Sequence, residues 1–467
     1  MAEVNLSDLE FSGRLDAEYY RPEHLRKEAI LTERGGTPLS LLCDFLIGPF
    51  GSAFTVENYC DDPTYRYIRG KDVKAMAIEE NDNVYMPKSD FERLSKYALK
   101  AGDVLVSVVG TLGNSALVEP HHVPAIFSCK STALRTTSID ARYLIAYLNC
   151  KYGRDLLIRK ERGAIQKGLN LDDLKSLQIF ISSPKLQSAI ANVHQLAGLE
   201  KHASKSALLR ADSQLAKAMD LASWQALEPL SYVRRSSEAF TAERLDAEYF
   251  HPQKASALAT LRAASDIAVG DLFSSVRKLW QPGEGLPADL VRNYDLNDAL
   301  VPFLDGEKSP VARAEIASTK KLLQAGDLVV SRLRSYLREI AIVEASADYP
   351  MVASTEYIVL RPRGKIILPV EALLVYLRSR LPQILLKWSQ DGSNHPRFDE
   401  KEILRMPIPR VLIDNPAPYV EAMQAMKSAK QRAAKLLNAA KRAVEIAIED
   451  SEAAALAYLH QAAPPEH

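Results

Sequence analysis

Four short stretches carry residue types that could do chemistry, and each lacks part of the set its chemistry needs. Asn415-Pro-Ala-Pro-Tyr419 approaches an Asn/Asp-Pro-Pro-aromatic pattern but has no paired prolines, and it precedes a helical stretch. A turn or cap is the expectation there. Gly110-Thr-Leu-Gly-Asn-Ser115 lacks the lysine with which a glycine-rich loop reaches a phosphate. His121-His122 lie in a proline-bounded turn with no third ligand close in sequence, so no metal is expected. Asp399-Glu-Lys401 has nuclease-like residue types without an acid from a flanking strand, and reads as a charged helix start. No catalytic set results, and the chain is expected to be neither an enzyme nor the holder of a cofactor.

A second class of side chains could grip or read a polar polymer. In the first half Thr111, Asn114, Lys130, Gln166, Lys167 and Asn170 lie in loops beside candidate strands. In the second half Arg332, Arg334, Tyr336, Arg338, Glu356, His395 and Arg397 occupy corresponding places. Arginine, asparagine and glutamine offer bidentate donors to base edges, while lysine and small hydroxyls suit phosphate. Arg332 and Arg334, as alternate residues of a strand, are expected to project on one face. Lys151, Arg154, Arg159, Lys160 and Arg162 form a basic run at helical spacing, open to phosphate contact or to a plain exposed face.

The elements that must position these residues occur twice. Arg14-Leu-Asp-Ala-Glu-Tyr-Tyr20 returns as Arg244-Leu-Asp-Ala-Glu-Tyr-Phe250, each followed by a residue and a proline. Ala101-Gly-Asp-Val-Leu-Val-Ser107 returns as Ala325-Gly-Asp-Leu-Val-Val-Ser331. Further matches follow in order: Ser128 to Arg135 with Ser354 to Arg361, Tyr147 with Tyr376, and Gly163–Ile179 with Gly392–Ile408. An ordered series of this kind marks an internal duplication. The twin Arg-Leu-Asp-Ala-Glu-Tyr segments, being equal, cannot encode different specificities; they read as structural or partner-docking elements, anchoring each domain to a helical rod.

Within the first copy Tyr65–Ile68, Val104–Val109, Ala116–Val118 and Thr132–Arg135 have strand character, and Ala141–Lys151 and Asp172–Leu177 have helical apolar spacing. Strands and helices do not alternate regularly, so the class is α+β. Between Pro184 and Pro229 there is no proline, and Leu186, Ile190, Val193 and Ala197 keep the spacing of a coiled-coil seam. A second such stretch follows Pro418, with Val420, Met423, Ala433, Leu437, Ala440, Val444 and Ala447 on one alanine-rich face. Each apolar stripe needs a cover, and the other helix, antiparallel, is the expected one. The expected boundaries are a lead over 1–13, a domain over 14–183, a helix over 184–228, a linker and second domain over 229–409, a second helix over 410–460, and a tail over 461–467.

Composition narrows the classes. The 59 basic and 59 acidic residues leave no net charge, so nucleic-acid binding must rest on local clusters rather than a long-range field. Apolar content of 47% fits folded cores. Four cysteines, 43, 60, 129 and 150, lack paired spacing and read as free thiols in a reducing cytosol. The start Met1-Ala-Glu-Val has no secretion-signal character, and no apolar run is long enough to span a membrane. A cytoplasmic location is expected.

The order domain, helix, domain, helix resembles the specificity (S) subunit of type I restriction–modification systems. That family's target-recognition domains carry a G-D-[IL]-L-[IV]-S strand, matched by Gly102-Asp103…Ser107 and Gly326-Asp327…Ser331-Arg332. They also carry a G-S-x-Q-x-N turn before an I-P-[IL]-P strand. Arg162-Gly-Ala-Ile-Gln-Lys-Gly-Leu-Asn170 matches the turn, and its partner Asp391-Gly-Ser-Asn394 leads to Arg405-Met-Pro-Ile-Pro409. The resemblance implies two tandem-duplicated target-recognition domains, each followed by a long helix, the helices pairing as an antiparallel coiled coil. It implies a non-catalytic subunit that reads the two halves of a split, asymmetric double-stranded DNA target. Two DNA adenine methyltransferase (M) subunits and restriction/translocase (R) subunits would be its partners, with S-adenosylmethionine, ATP and Mg in those subunits and none in this chain. The departures are Val108 where arginine is common, and Leu333-Arg-Ser-Tyr-Leu-Arg338 in place of the glycine loop kept as Gly110-Thr-Leu-Gly-Asn114. Rival readings are an adaptor of another phage-defence or modification assembly, and a coiled-coil scaffold that binds protein.

Overall fold

The computed structural model describes residues 14–463 apart from 164–166, 227, 282–287, 347, 366 and 393. The chain forms two compact units. One joins the described residues up to Lys201 with those from Lys430 on, and the other is His202–Ala429.

In the first unit the elements that matter are β1 (Cys43–Ile47), β2 (Arg66–Ile68), β3 (Val104–Ser107), β4 (Ser115–Leu117), β5 (Ala125–Phe127), β6 (Ser131–Thr136), α1 (Ala141–Asn149), α2 (Lys151–Arg159) and the part of α3 (Pro184–Ala218) up to Lys201. The antiparallel sheet runs β1-β6-β3-β4, with Leu134 opposite Val104 and Phe45. β2 and β5 pair in parallel. Strand β3 is apolar and buried on both sides. Its alternation, a consequence of the two-residue period of a strand, splits it between two cores. Val104 and Val106 join Leu134 and the helices; Leu105 joins Ala116, Ala133 and Phe127.

The second unit has β7 (Phe273–Ser275), β8 (Leu290–Tyr294), β9 (Leu328–Ser331), β10 (Ile340–Ile342), β11 (Met351–Ala353), β12 (Tyr357–Pro362), α4 (Val370–Arg378), α5 (Arg380–Lys387), α6 (Ala417–Glu449) and α7 (Glu452–Ala462), of which the last and most of α6 belong to the first unit's share of chain. Its antiparallel sheet runs β7-β12-β9-β10, and β8 pairs in parallel with β11. Leu328 and Val330 face one core with Ile358 and Leu360; Val329 faces another with Ala341 and Val359. The second unit differs in that its other sheet has five strands where the first unit has three.

The Gly-Asp turn before β3 and β9 has the same physical content in both units. Gly102 and Gly326 hold φ of +94° and +86°, a region that favours glycine. The following aspartate is buried, receives the turn's own N–H from Lys100 or Gln324 at 2.9 and 2.8 Å, and pairs with an arginine of the neighbouring strand. Arg135 donates to Asp103 at 3.0 Å; Arg361 donates to Asp327 through two bonds of 2.7 and 2.8 Å.

The long helices contribute to the unit cores. In the first unit Leu186, Ile190 and Val193 share a core with Ala440, Ala443, Val444 and Ile448. There the Ser183 N–H donates to Glu452 at 2.7 Å and Arg432 donates to Glu200 at 2.7 Å, so the two segments run in opposite directions. In the second unit Ala207, Ala211 and Leu215 share a core with Tyr419, Met423 and Met426, and the Ser204 hydroxyl donates to the Met426 carbonyl at 3.0 Å. Neither helix has the expected extent. α3 stops at Ala218 rather than reaching 228, where the chain turns through a left-handed Asp220. The stretch 410–460 is three helices, not one. A turn over Arg410–Asp414 precedes Pro416, which has no N–H to continue it. After Glu449 an extended Ser451 accepts from the Ala454 N–H at 3.2 Å and starts α7.

Removing one partner of a buried ion pair strands the other. Asp327→Asn is therefore expected to destabilise the second unit by about 3 kcal/mol. Trp224, Trp280 and Trp388, the chain's three tryptophans, all lie in that unit, so denaturation followed by tryptophan fluorescence reads it directly.

Candidate nucleic-acid interface

In both units the chain leaving the central strand is held between two other segments by main-chain bonds. In the first, the Val108 N–H donates to the Lys130 carbonyl and the Leu169 N–H donates to the Val108 carbonyl, each at 2.9 Å. In the second, the Arg332 N–H donates to the Glu356 carbonyl and the Phe398 N–H to the Arg332 carbonyl, each at 3.1 Å. The third segment closes with a bridge between Arg162 and Gly168, or between Asp391 and Arg397. The frame is common and the side chains are not: Val108, Lys130 and Gly168 stand where Arg332, Glu356 and Arg397 stand. A side chain at Gly168 would meet the Val108 carbonyl no closer than 3.5 Å, so space does not impose that difference.

The second frame carries an ionic brace. Glu356 accepts from the Arg332 Nε at 2.9 Å and from the Arg397 Nε and Nη2 at 3.0 and 2.9 Å. Hydrogen bonds from Arg397 and then Arg332, against the opposing effect of burial, hold its carboxyl below the usual range. Arg397 also donates through Nη1 to the His395 carbonyl, which leaves Arg397 fully engaged and His395 exposed at the rim.

The loop after Arg332 corrects one sequence expectation. β9 ends at Ser331, so Arg332 and Arg334 are not alternate residues of a strand and share no strand face. Arg334 and Arg338 instead take left-handed backbone angles, φ +51° and +52°, on either side of a short turn at Ser335–Leu337. In the first unit the loop's left-handed positions are Gly110 and Gly113. Such angles cost a residue with a Cβ roughly 1–2 kcal/mol. The loop is held by the Arg334 N–H on the Pro396 carbonyl at 3.2 Å and by Arg378, which donates to the carbonyls of Arg338 and Ile340 at 2.7 and 3.1 Å. Burial, with Arg338 nearby, pushes the Arg378 guanidinium down to about 10. Nothing in the sequence marked Arg378 as the residue that fixes this loop. Tyr336, two-thirds exposed, sits at the tip.

The first unit's candidates scatter more widely. Thr111, Lys130 and Asn170 are exposed beside the frame. Asn114 is buried: its amide donates to the Val73 carbonyl at 3.1 Å and accepts from Arg154 at 2.9 Å, a packing role that leaves no edge for a ligand. Lys167 is paired with Glu161. Gln166 lies outside the described residues.

The basic run that begins on α2 is engaged within the unit. Lys151 pairs with Glu449, Arg159 with Glu28 and Arg162 with Asp173; Arg154 holds Asn114, and Lys160 donates to Ser176.

The twin segments are anchors, though not to the long helices. Arg14 grips Asp16 through two bonds of 2.6 Å and donates to the Glu161 carbonyl beyond α2 at 2.9 Å. Arg244 grips Asp246 at 2.6 and 2.7 Å and donates to the Gln390 carbonyl beyond α5 at 3.1 Å. Both arginines lie over the tyrosine five residues on, Tyr19 or Tyr249. In the second unit this anchor forms one wall of a hollow of about 550 Å³, whose other lining includes Arg332, Asp391, His395, Arg397 and Glu402.

Two other motifs resolve. Asp399 caps the helix Glu400–Leu404 through the Lys401 N–H at 2.9 Å, and Asn415 to Pro416 is the break between helices. His121 and His122 do gain a third group, Glu80, which the sequence placed 41 residues away, with ring nitrogens 2.5 and 3.1 Å from its carboxylate. His122 Nδ1 accepts from the Glu119 N–H, so its proton sits on Nε2 and faces Glu80. The ligand atoms of the three residues lie within 4.8 Å of one another. Among the described residues no helix is long and apolar enough to cross a membrane.

No protein-family model and no curated protein matches the chain. Among solved structures it is similar to the type I restriction–modification S subunit from M. genitalium, at 14% identity and a TM-score of 0.31 over 91% of this chain and 95% of that one. A structure bearing on complex assembly and conformational transition of the type I R-M system aligns at 15% and 0.28, over 92% and 97%. The HsdS subunit from Thermoanaerobacter tengcongensis aligns at 15% and 0.25, over 91% and 95%.

The brace has a pH signature. Because the folded Glu356 carboxyl is held below its unfolded value, its stabilisation is present above that unfolded value and is lost as pH falls through the folded one. Glu356→Gln is expected to melt below the unsubstituted protein at pH 7. Melting curves of the two should converge as the pH is lowered below the ordinary carboxylate range, and a gap that stays constant with pH would contradict the brace.

Proposed function

We propose that the chain is the sequence-specificity subunit of a type I restriction–modification complex, a non-catalytic reader of double-stranded DNA. In this reading each duplicated unit is a target-recognition domain, over 14–183 and 229–409, and the helices α3 and α6 pair as an antiparallel coiled coil. Two adenine methyltransferase subunits and the restriction/translocase subunits bring S-adenosylmethionine, ATP and Mg, and with them the catalysis.

One observation supports this above the others. A single main-chain frame presents Val108, Lys130 and Gly168 in one unit and Arg332, Glu356 and Arg397 in the other. A duplicated reader can keep the frame and vary what projects from it, because base edges are told apart by donor and acceptor pattern and by the thymine methyl. Two unlike readers imply a target whose halves differ. The zero net charge fits a reader that relies on a few placed contacts and on its partner subunits for further grip.

The test is selection from randomised duplexes by the full chain in its complex. A split motif with unlike halves is expected, its affinity falling steeply with salt as phosphate counterions are released. A continuous motif, two identical halves, or affinity indifferent to salt would contradict the proposal.

A further inference from the structure

The second unit's loop places one arginine in a position that packing alone does not justify. Arg334 adopts φ +51° where the first unit's loop has Gly110 at +90°. A left-handed residue with a Cβ is strained, and strain of this kind persists where the surroundings over-determine the backbone, most often at functional sites. Here the over-determination is visible: the Arg334 N–H is fixed on the Pro396 carbonyl, the Leu333 backbone bridges Arg397, and Arg378 holds the far end of the loop.

Among the described residues the guanidiniums around the loop divide into holders and two that hold nothing, Arg334 and Arg338, of which only Arg334 has its N–H fixed on another segment of the chain. Arg332 and Arg397 are tied to Glu356, and Arg378 is tied to carbonyls. Arg334 has a main-chain anchor and, among the described residues, no hydrogen bond or ion pair from its guanidinium. A strained, anchored, unspent arginine offers a planar fork of donors from a fixed origin. That fork matches the paired acceptors O6 and N7 of guanine in the major groove, and fixing its origin lowers the entropy lost on binding.

We infer that Arg334 is a specificity-determining residue that reads a guanine in the half-site of the second unit, with Arg378 and the Glu356 brace as positioning residues. The inference rests on the DNA-reading function proposed above. The first unit, with glycine at that place, has no such reader.

The experiment is the same duplex selection with the full chain in its complex, comparing the unsubstituted protein with Arg334→Gly and Arg334→Lys. Glycine relieves the backbone strain, so the fluorescence melt of Arg334→Gly should be no lower than that of the parent, which removes misfolding as an explanation. The preference for guanine at one position of one half should fall about 10- to 100-fold, with the other half unchanged. Lysine, a point donor without the fork, should restore little of it. If Arg334→Gly instead weakens all duplexes alike and lowers the salt slope by about one, the residue grips phosphate and the inference is overturned. It is equally overturned if the altered position is not a guanine, or if the motif does not change. Should the unsubstituted complex select no sequence at all, the DNA-reading function itself fails, and the inference with it.

Discussion

In each unit the residue that leaves the central strand is held on both sides by main-chain hydrogen bonds, to Lys130 and Leu169 in one and to Glu356 and Phe398 in the other. Main-chain groups are the same whatever the side chain, so this grip fixes the backbone while leaving the projecting residue free to change. The rest of each unit serves that arrangement. The buried aspartate of the Gly-Asp turn sets where the strand begins, the alternation of Leu328, Val329 and Val330 between two cores sets its register, and the twin anchor ties Arg14 or Arg244 to the chain beyond the helix that follows.

The second unit departs from the first in the direction of charge and strain. It places arginine where the first has valine and glycine, offsets the charge with Glu356, and fixes the loop with a half-buried Arg378 rather than with flexible glycines. A loop so constrained is pre-organised, and pre-organisation is what a reader of fixed base edges requires.

Much of this was legible in the sequence because it is written in periodicity and repetition. The strands at Val104, Ser115 and Ser131 and the helix at Ala141 fall within a residue or two of their apolar patterns. Two kinds of feature were not legible. Where a strand ends depends on turn geometry, and nothing in Ser331-Arg-Leu-Arg334 shows that the chain turns left-handed at its fourth residue. Pairings across long sequence separations, such as Arg154 with Asn114 or Glu80 with His122, have no local signal. That is why Asn114 reads as a contact residue in sequence and is a buried strut in the fold.

In the function proposed above, one frame, occurring twice with different side chains, reads two different half-sites. A chimaeric chain in which 14–180 is replaced by 244–409 tests it most directly, through the motif its complex selects from randomised duplexes. The account predicts a split target whose two halves carry the same bases, both equal to the parent's second half. A chimaera that binds and still selects the parent's unlike halves would contradict it.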